Sequence, residues 1–153
     1  MIEELFIPYN ESMKMRAIGF DEPCLGKFAH FSLKPAPEML IYKNSIFGEN
    51  YMGRNTDDDI NNTIEQDCTA ILYQQAFQYF RDKYNLYPEI GLHDREDTST
   101  WRFTISILGY YHLAYNQNVS QEPYFKSYAE VQLAYIKKLI EIATEIYMNL
   151  VTD

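Results

Sequence analysis

The chain has 153 residues, of which 46% are hydrophobic and 23% are charged. This length and composition favour a folded domain and exclude intrinsic disorder. The formal net charge is −9, from 22 acidic and 13 basic residues. Such a chain repels phosphate backbones and anionic lipids, so we expect no nucleic-acid partner. Its apolar stretches are far shorter than the roughly 20 residues of a transmembrane helix, so we expect no membrane partner.

Two further features concern compartment and cofactors. The first four residues, MIEE, are acidic where a secretory signal is basic, which predicts a cytoplasmic protein. Cys24 and Cys68 are too few for a disulfide framework and belong to no CxxC pair, so we interpret them as buried free thiols. Neither GxGxxG nor GxxxxGK[ST] occurs, and we therefore expect no phosphate-binding loop and no cofactor.

The first predicted helix covers residues 10–19. Asn10 can cap its first turn, and Gly19 can end it in a left-handed conformation. Two neighbouring strands are predicted next, over 24–31 and 39–42, because both segments are short and contain aromatic or aliphatic residues typical of strands.

A long surface loop is predicted at about 43–68, where the chain is polar and rich in asparagine. The three aspartates at 57–59 lie within it. They lack the alternating acidic positions, the glycine and the closing glutamate of a calcium loop. We therefore interpret them as a solvated run of charge and expect no metal.

The second half of the chain has the clearest periodicity. Apolar residues spaced by three and four over 72–84 predict a helix that stops at Asn85. Residues 89–92 and 101–107 are predicted strands, and the second has the alternation of a sheet with one buried face. A further strand is predicted over 110–115.

The longest predicted helix runs from Ser127 to Leu150, and Ser127 and Glu130 have the spacing of a capping box. The elements then follow the order α-ββα-ββα. This order predicts an α+β fold in which an antiparallel sheet has helices on one face. We expect residues 1–153 to form a single domain.

The apolar surface of the last helix is wider than one sheet requires. One stripe contains the predicted interface residues Leu133, Ile136, Ile140 and Tyr147, and a second stripe lies beside it. A helix on a sheet face needs about 100° of apolar surface, and two stripes exceed that. The apolar surface that the sheet does not bury should pack against another element. That element is either the first helix or the same helix of a second copy, so a homodimer is one expectation.

Aromatic residues are abundant, with 14 tyrosines, 9 phenylalanines and one tryptophan. Tyrosine and tryptophan combine a large contact area with a polar group and are enriched at interfaces. The candidates for binding a ligand or partner are Trp101, Tyr110, Tyr111, Tyr115 and Tyr124.

Two alternatives involve charged residues. A small-ligand binding protein, for example one that sequesters a nucleotide signal, would need basic residues beside those tyrosines. The candidates for that role are Arg95, Arg102, Lys126 and Lys137. A hydrolase would use His93 as a base oriented by a neighbouring acid. The sequence supplies no partner nucleophile, and a charged hairpin loop explains the same segment, so we expect no catalytic residue.

Residues 15–24 (MRAIGFDEPC), 73–84 (YQQAFQYFRDKY) and 128–141 (YAEVQLAYIKKLIE) carry a family resemblance. They are similar, in the same order, to the LKELGFDEPC, QQAFRWFREKY and YEEAQLACLEKLIEI segments of a family of small hypothetical proteins. Bacteroidetes genomes, their phages and mobile elements encode this family. Ile71 departs from it, since the family often has proline there. The resemblance implies a setting and carries over no active site.

Together, the missing catalytic motifs, the tyrosines and the surplus helix face predict a function. We expect a non-enzymatic accessory protein of a phage or mobile element that binds a protein partner or assembles with itself. We expect it in the cytoplasm, which is that of the host cell if a phage encodes it, with the virion as the open alternative.

Overall fold

The computed structural model describes residues 2–31, 36–42, 52–61, 67–92, 101–107, 119–120 and 125–152. Its α-helices and antiparallel strands confirm the predicted α+β class. The chain divides into two compact units, Met1–Leu72 and Tyr73–Asp153, which we call the first and second unit and describe separately. The expectation that the whole chain forms one domain stays a prediction.

The first unit combines short helices with a three-stranded antiparallel sheet. Its described elements are a 3-10 helix at Ile2–Leu5, α1 at Tyr9–Ala17, β1 at Gly26–Ala29, β2 at Glu38–Ile41, α2 at Asp58–Asn61 and β3 at Cys68–Ala70. β1 lies in the centre of the sheet, between β2 and β3. Gly26 of β1 stands opposite Ile41 on one side and Ala70 on the other. Both strands predicted for this half therefore form, and β3 is added to them.

The inner face of this sheet carries part of the first unit's core. Phe28, Cys68 and Ala70 are at most 9% exposed and cluster with Phe6. The backbone of Phe6 pairs with that of Leu72, and α1 packs against β3. The chain segments before α1 and after β3 thereby close the core. Both cysteines of the chain are free and buried, as predicted.

The N-terminal boundary of α1 differs from the prediction. The helix begins at Tyr9, directly after Pro8, whose φ of −61° suits a helix start, and no side chain caps it. Asn10 therefore lies inside the first turn and is not the cap. The predicted C-terminal boundary is confirmed, because Gly19 has a φ of 91°, a left-handed conformation that glycine adopts without steric cost.

Part of the range 43–68, predicted as a surface loop, is buried within the first unit. Within the described residues 52–61, Asn55 is buried. Its side-chain amide donates to the Phe20 carbonyl at 2.7 Å, and its amide oxygen accepts from the Thr69 backbone N–H at 3.0 Å. One side chain thus satisfies two buried backbone groups from distant parts of the chain.

The second unit pairs two longer helices with another antiparallel sheet. Its described elements are α3 at Tyr73–Tyr84, β4 at Leu86–Leu92, β5 at Trp101–Ile107, β6 at Val119–Ser120 and α4 at Tyr128–Thr152. β5 lies between β4 and β6, and Leu86 stands opposite Ile107. The strand predicted over 110–115 lies outside the described residues.

The helices of the second unit pack on this sheet and on each other. α3 contacts β4, α4 contacts β4 and β5, and α3 contacts α4. Phe80 of α3 and Tyr135 of α4 are fully buried, and the Tyr135 ring lies 5.2 Å from that of Phe77. The apolar stripes of the two helices therefore form a common core, as their periodicity predicts.

The ends of these helices follow the predicted signals. Asn85 follows α3 with a φ of 53°, the left-handed conformation that asparagine tolerates. At the start of α4, the Glu130 N–H donates to Ser127 Oγ at 3.2 Å, and the Glu130 carboxylate accepts from the Lys126 amide at 3.1 Å. The bond from Glu130 N–H to Ser127 thus forms as the predicted capping box requires. The reciprocal bond to the Glu130 carboxylate comes from the amide of Lys126 and not from that of Ser127. No described helix is both long and apolar enough to cross a membrane.

Candidate binding surfaces

Strand β2 lies at an edge of the first unit's sheet, since among the described residues it pairs with β1 alone. The Tyr42 amide donates to the Leu25 carbonyl at 2.7 Å, which fixes the alternation along the strand. The backbone groups of Leu40 therefore point to β1, and those of Met39 and Ile41 point away from it. A second strand can dock on groups presented in this way.

The side chains of β2 are apolar on both faces of the sheet. Leu40 lies on the outer face and is 38% exposed, and Ile41 lies on the inner face and is 41% exposed. Leu25 shares the outer face and is 42% exposed. Side chains on the same face of adjacent strands lie within reach of each other. We call Leu25, Leu40 and Ile41, together with the β2 backbone, the β2 edge.

Among the described residues, few charges lie at the β2 edge. Lys27 stands opposite Leu40, and Glu38 begins the strand; both side chains are half-buried. Natural edge strands are usually blunted by lysine, proline or a bulge, and the β2 sequence, EMLI, contains neither lysine nor proline. The geometry therefore suits association with another strand better than it suits exposure to water.

A polar cluster at the end of β1 is the second candidate site. The His30 backbone N–H donates to Asp67 Oδ1 at 3.1 Å, and His30 Nδ1 lies 3.1 Å from the same oxygen. The Arg16 guanidinium donates to the Asp67 carbonyl. A histidine oriented by a carboxylate is the arrangement of a general base.

The thiol beside this pair argues for a structural role. Cys68 is fully buried, and burial raises its pKa to about 12, with the Arg16 cation offsetting only part of the effect. A thiol with this pKa carries almost no thiolate at neutral pH, so it is a poor nucleophile. The Tyr9 ring packs edge-on against His30 at 5.5 Å. We therefore assign the cluster the role of joining α1, β1 and the residue before β3.

α4 buries much of the stripe that the sequence predicts as an interface. Ile136 is fully buried, Ile140 is 4% exposed, and Leu133 is half-buried. Tyr147, at 39% exposed, is the member of this stripe that presents most surface. The physical reason is that α4 contacts α3 as well as the sheet, so more than one stripe of the helix is covered. Ile136 and Ile140 thus supply core, and the apolar surface of α4 lies towards its ends.

The other predicted site residues divide into two groups. Trp101 and Arg102 begin β5, Lys126 precedes α4, and Lys137 is exposed on α4. Outside the described residues lie His93, Arg95, Tyr110, Tyr111, Tyr115 and Tyr124. The ligand-binding and hydrolase alternatives that rest on those residues stay predictions. In the described part of the chain, no three His, Cys, Asp or Glu side chains form a group that could hold a metal ion.

The sequence interpretation missed the β2 edge. Its signal is an apolar residue at the outward position of two adjacent short strands, Leu25 before β1 and Leu40 in β2. In a strand of four residues, alternation separates two faces without showing which of them is covered. What identifies β2 as an edge strand is its pairing with a single described strand. Only the fold shows which strands pair.

The sequence matches no protein-family model, no curated protein and no solved structure. The resemblance to the Bacteroidetes family therefore stays a prediction, as does the phage or mobile-element setting that it implies.

Proposed function

We propose that this chain is a non-enzymatic accessory protein that acts by protein binding, and that its β2 edge docks a second copy of the chain. The observation that carries the proposal is an edge strand with exposed apolar side chains on both faces, Leu40 at 38% and Ile41 at 41%. Addition of a strand to such an edge combines main-chain hydrogen bonds with side-chain contacts. The setting that the resemblance implies belongs to the same proposal.

A second copy fits this edge because β2 can pair with itself about a two-fold axis. The backbone groups of Met39 and Ile41 point outward, so antiparallel pairing sets Met39 of one copy against Ile41 of the other, and the reverse. Leu40 then faces Leu40 across the axis in the closely spaced pair, about 4.5 Å between Cα atoms. The same patch serves both copies, as a closed two-fold interface requires.

Charge is compatible with this register, although the net charge opposes it at long range. The pairing sets Glu38 of one copy opposite Tyr42 of the other, so no like charges stand directly opposite each other. The net charge of −9 on each copy repels the approaching partner, and salt screens that repulsion. Association should therefore strengthen as ionic strength rises from low to physiological.

The test measures the mass of the full chain by light scattering and analytical ultracentrifugation over a concentration series. Ile41→Pro removes an N–H that points to the open edge and leaves the bonds to β1, so it should block docking without unfolding the sheet. Leu40→Lys places a charge at the two-fold axis. We expect each variant to raise the dimer dissociation constant at least about tenfold.

Two further variants make the outcome specific. Leu5→Lys is the matched control, because Leu5 is 59% exposed in the same unit but lies outside the sheet; it should leave the dimer unchanged. Leu150→Lys tests the α4 surface, where Leu150 is 72% exposed. A wild-type chain that stays monomeric at its highest soluble concentration overturns the proposal. So does a dimer that Leu150→Lys dissociates and Ile41→Pro does not.

A further inference from the structure

A cavity of about 170 Å³ that is open to solvent lies in the second unit, among α3, β4 and α4. Its described lining consists of three aromatic side chains, one aliphatic, one amide and one guanidinium. These are Gln74, Phe77, Arg81, Ile90, Tyr128 and Tyr135. The described lining residues belong to the second unit and the β2 edge to the first, so the inference does not rest on the proposed self-assembly.

The helical spacing explains why these side chains converge. Gln74, Phe77 and Arg81 are separated by three and four residues, so they lie on one face of α3. Tyr128 and Tyr135 are seven residues apart and share a face of α4. Apolar surface therefore comes from both helices, and the hydrogen-bond donors on α3 lie one turn to either side of Phe77.

Among the described residues, the guanidinium of Arg81 has one hydrogen-bond partner. Arg81 is half-buried, and its Nη2 donates to Gln78 Oε1 at 3.0 Å. The amide of Gln78 in turn donates to Asp82 Oδ1 at 2.7 Å. An arginine has five N–H donors, and this bond uses one of them. None of the described lining residues is acidic, so the lining itself supplies no counter-ion for Arg81.

Aromatic side chains form another part of the lining. The Phe77 and Tyr135 rings lie 5.2 Å apart and tilted by 49°, and both side chains are buried. Tyr128 is 42% exposed and therefore presents most of the accessible ring surface. Offset and edge contacts with the Tyr128 ring suit a flat apolar ligand. A ligand that satisfies both parts of the site carries a ring at one end and a negative charge at the other.

We infer that this cavity binds a small aromatic carboxylate with a single ring, its carboxylate paired with Arg81 and its ring placed against Phe77 and Tyr128. Arginine binds carboxylates with two parallel hydrogen bonds. The cavity has room for a single ring, since a volume of about 150 Å³ is enough for one benzene molecule.

Titration of the isotope-labelled full chain with benzoate, followed by NMR, tests the inference. The Arg81 guanidinium and the Phe77 and Tyr128 ring signals should shift together and saturate. Benzyl alcohol keeps the ring without the charge, and inorganic phosphate keeps a charge without the ring, so both should bind more weakly than benzoate. Arg81→Gln should weaken benzoate about 10- to 100-fold, the usual effect of removing a charged hydrogen-bond partner.

Lys137→Gln is the matched control, because it removes the same charge from an exposed position of α4; it should leave benzoate affinity unchanged. Unperturbed proton spectra of both variants would show that they are folded. Three outcomes overturn the inference: no shift at the lining residues, equal affinity for phosphate and benzoate, or equal losses in Arg81→Gln and Lys137→Gln.

Discussion

The two units of this chain build their buried cores from different kinds of side chain. In the first unit several buried side chains are polar or charged, among them Asn55, Asp67 and Thr69. Side-chain to backbone hydrogen bonds hold its short strands together, as when Asn55 joins Phe20 to Thr69. The described core of the second unit rests on Phe, Tyr, Leu and Ile side chains that two periodic helices supply.

This difference affects what each unit tolerates. An apolar core loses stability in proportion to the volume removed, and the surrounding side chains can partly adjust. A core held by buried side-chain hydrogen bonds loses stability more abruptly, because removing one partner leaves the other buried without a hydrogen bond. The first unit should therefore be sensitive to the chemistry of a few residues, and the second to their size.

The largest expected effects come from truncating one core residue in each unit. Phe80 in α3 and Met15 in α1 are both fully buried. Phe80→Ala should lower the free energy of unfolding by about 3–5 kcal/mol and Met15→Ala by about 2–5 kcal/mol. Leu5→Ala, at an exposed position, is the control and should stay within about 0.5 kcal/mol of wild type.

The chain provides a separate reporter for each unit in this denaturation experiment. Trp101 is the single tryptophan and lies in the second unit, and Cys24 and Cys68, the two cysteines, lie in the first. Fluorescence thus follows one unit and thiol reactivity the other. The prediction of a single domain requires both reporters to shift together in either variant. A shift confined to the reporter of the mutated unit contradicts that prediction.

The next effect is a pH dependence that comes from a buried thiol of the first unit. Burial raises the pKa of Cys68 from 9.0 to about 12. Between these values the unfolded chain has released the thiol proton and the folded chain retains it, so the free energy of unfolding falls as pH rises. One group contributes a slope of about 1.4 kcal/mol per pH unit in this window. The stabilisation is complete below about pH 9.

Comparison of wild type with Cys68→Ala isolates this contribution from the tyrosines that titrate in the same range. Denaturation curves between pH 8 and 11 should show a steeper loss of stability for wild type, by up to about 1.4 kcal/mol per pH unit. Parallel pH profiles for the two proteins would show that the folded state does not raise the pKa of the Cys68 thiol.

The sequence predicts the second unit better than the first for a physical reason. α3 and β5 repeat apolar residues at the period of their own secondary structure, and periodicity is a local property. The two segments that tie the first unit together, around Asn55 and Asp67, act through single hydrogen bonds to residues distant in sequence. No window of neighbouring residues contains both partners, so these hydrogen bonds leave no pattern in the sequence.

The candidate sites show the same limit. Sequence periodicity gives Ile136 and Ile140 an apolar stripe on α4, yet it cannot show that α3 and the sheet cover more than one stripe of the helix. It groups Tyr128 and Tyr135 on one face of α4, yet it cannot bring Arg81 to them, because that requires the packing of two helices. The β2 edge likewise depends on which strands pair. A site built from one element is predictable, and a site built from several requires the fold.

The smallest predicted effect compares the two helix starts, one with a side-chain cap and one without. Ser127 Oγ accepts the Glu130 N–H at the start of α4, so Ser127→Ala should lower the free energy of unfolding of the second unit by about 1 kcal/mol. α1 starts after Pro8 with no side-chain cap, so Asn10→Ala should change stability by no more than about 0.5 kcal/mol. Tryptophan fluorescence and thiol reactivity in urea measure the two changes. If Asn10→Ala is as destabilising as Ser127→Ala, then Asn10 caps α1 in solution and the helix begins later than Tyr9.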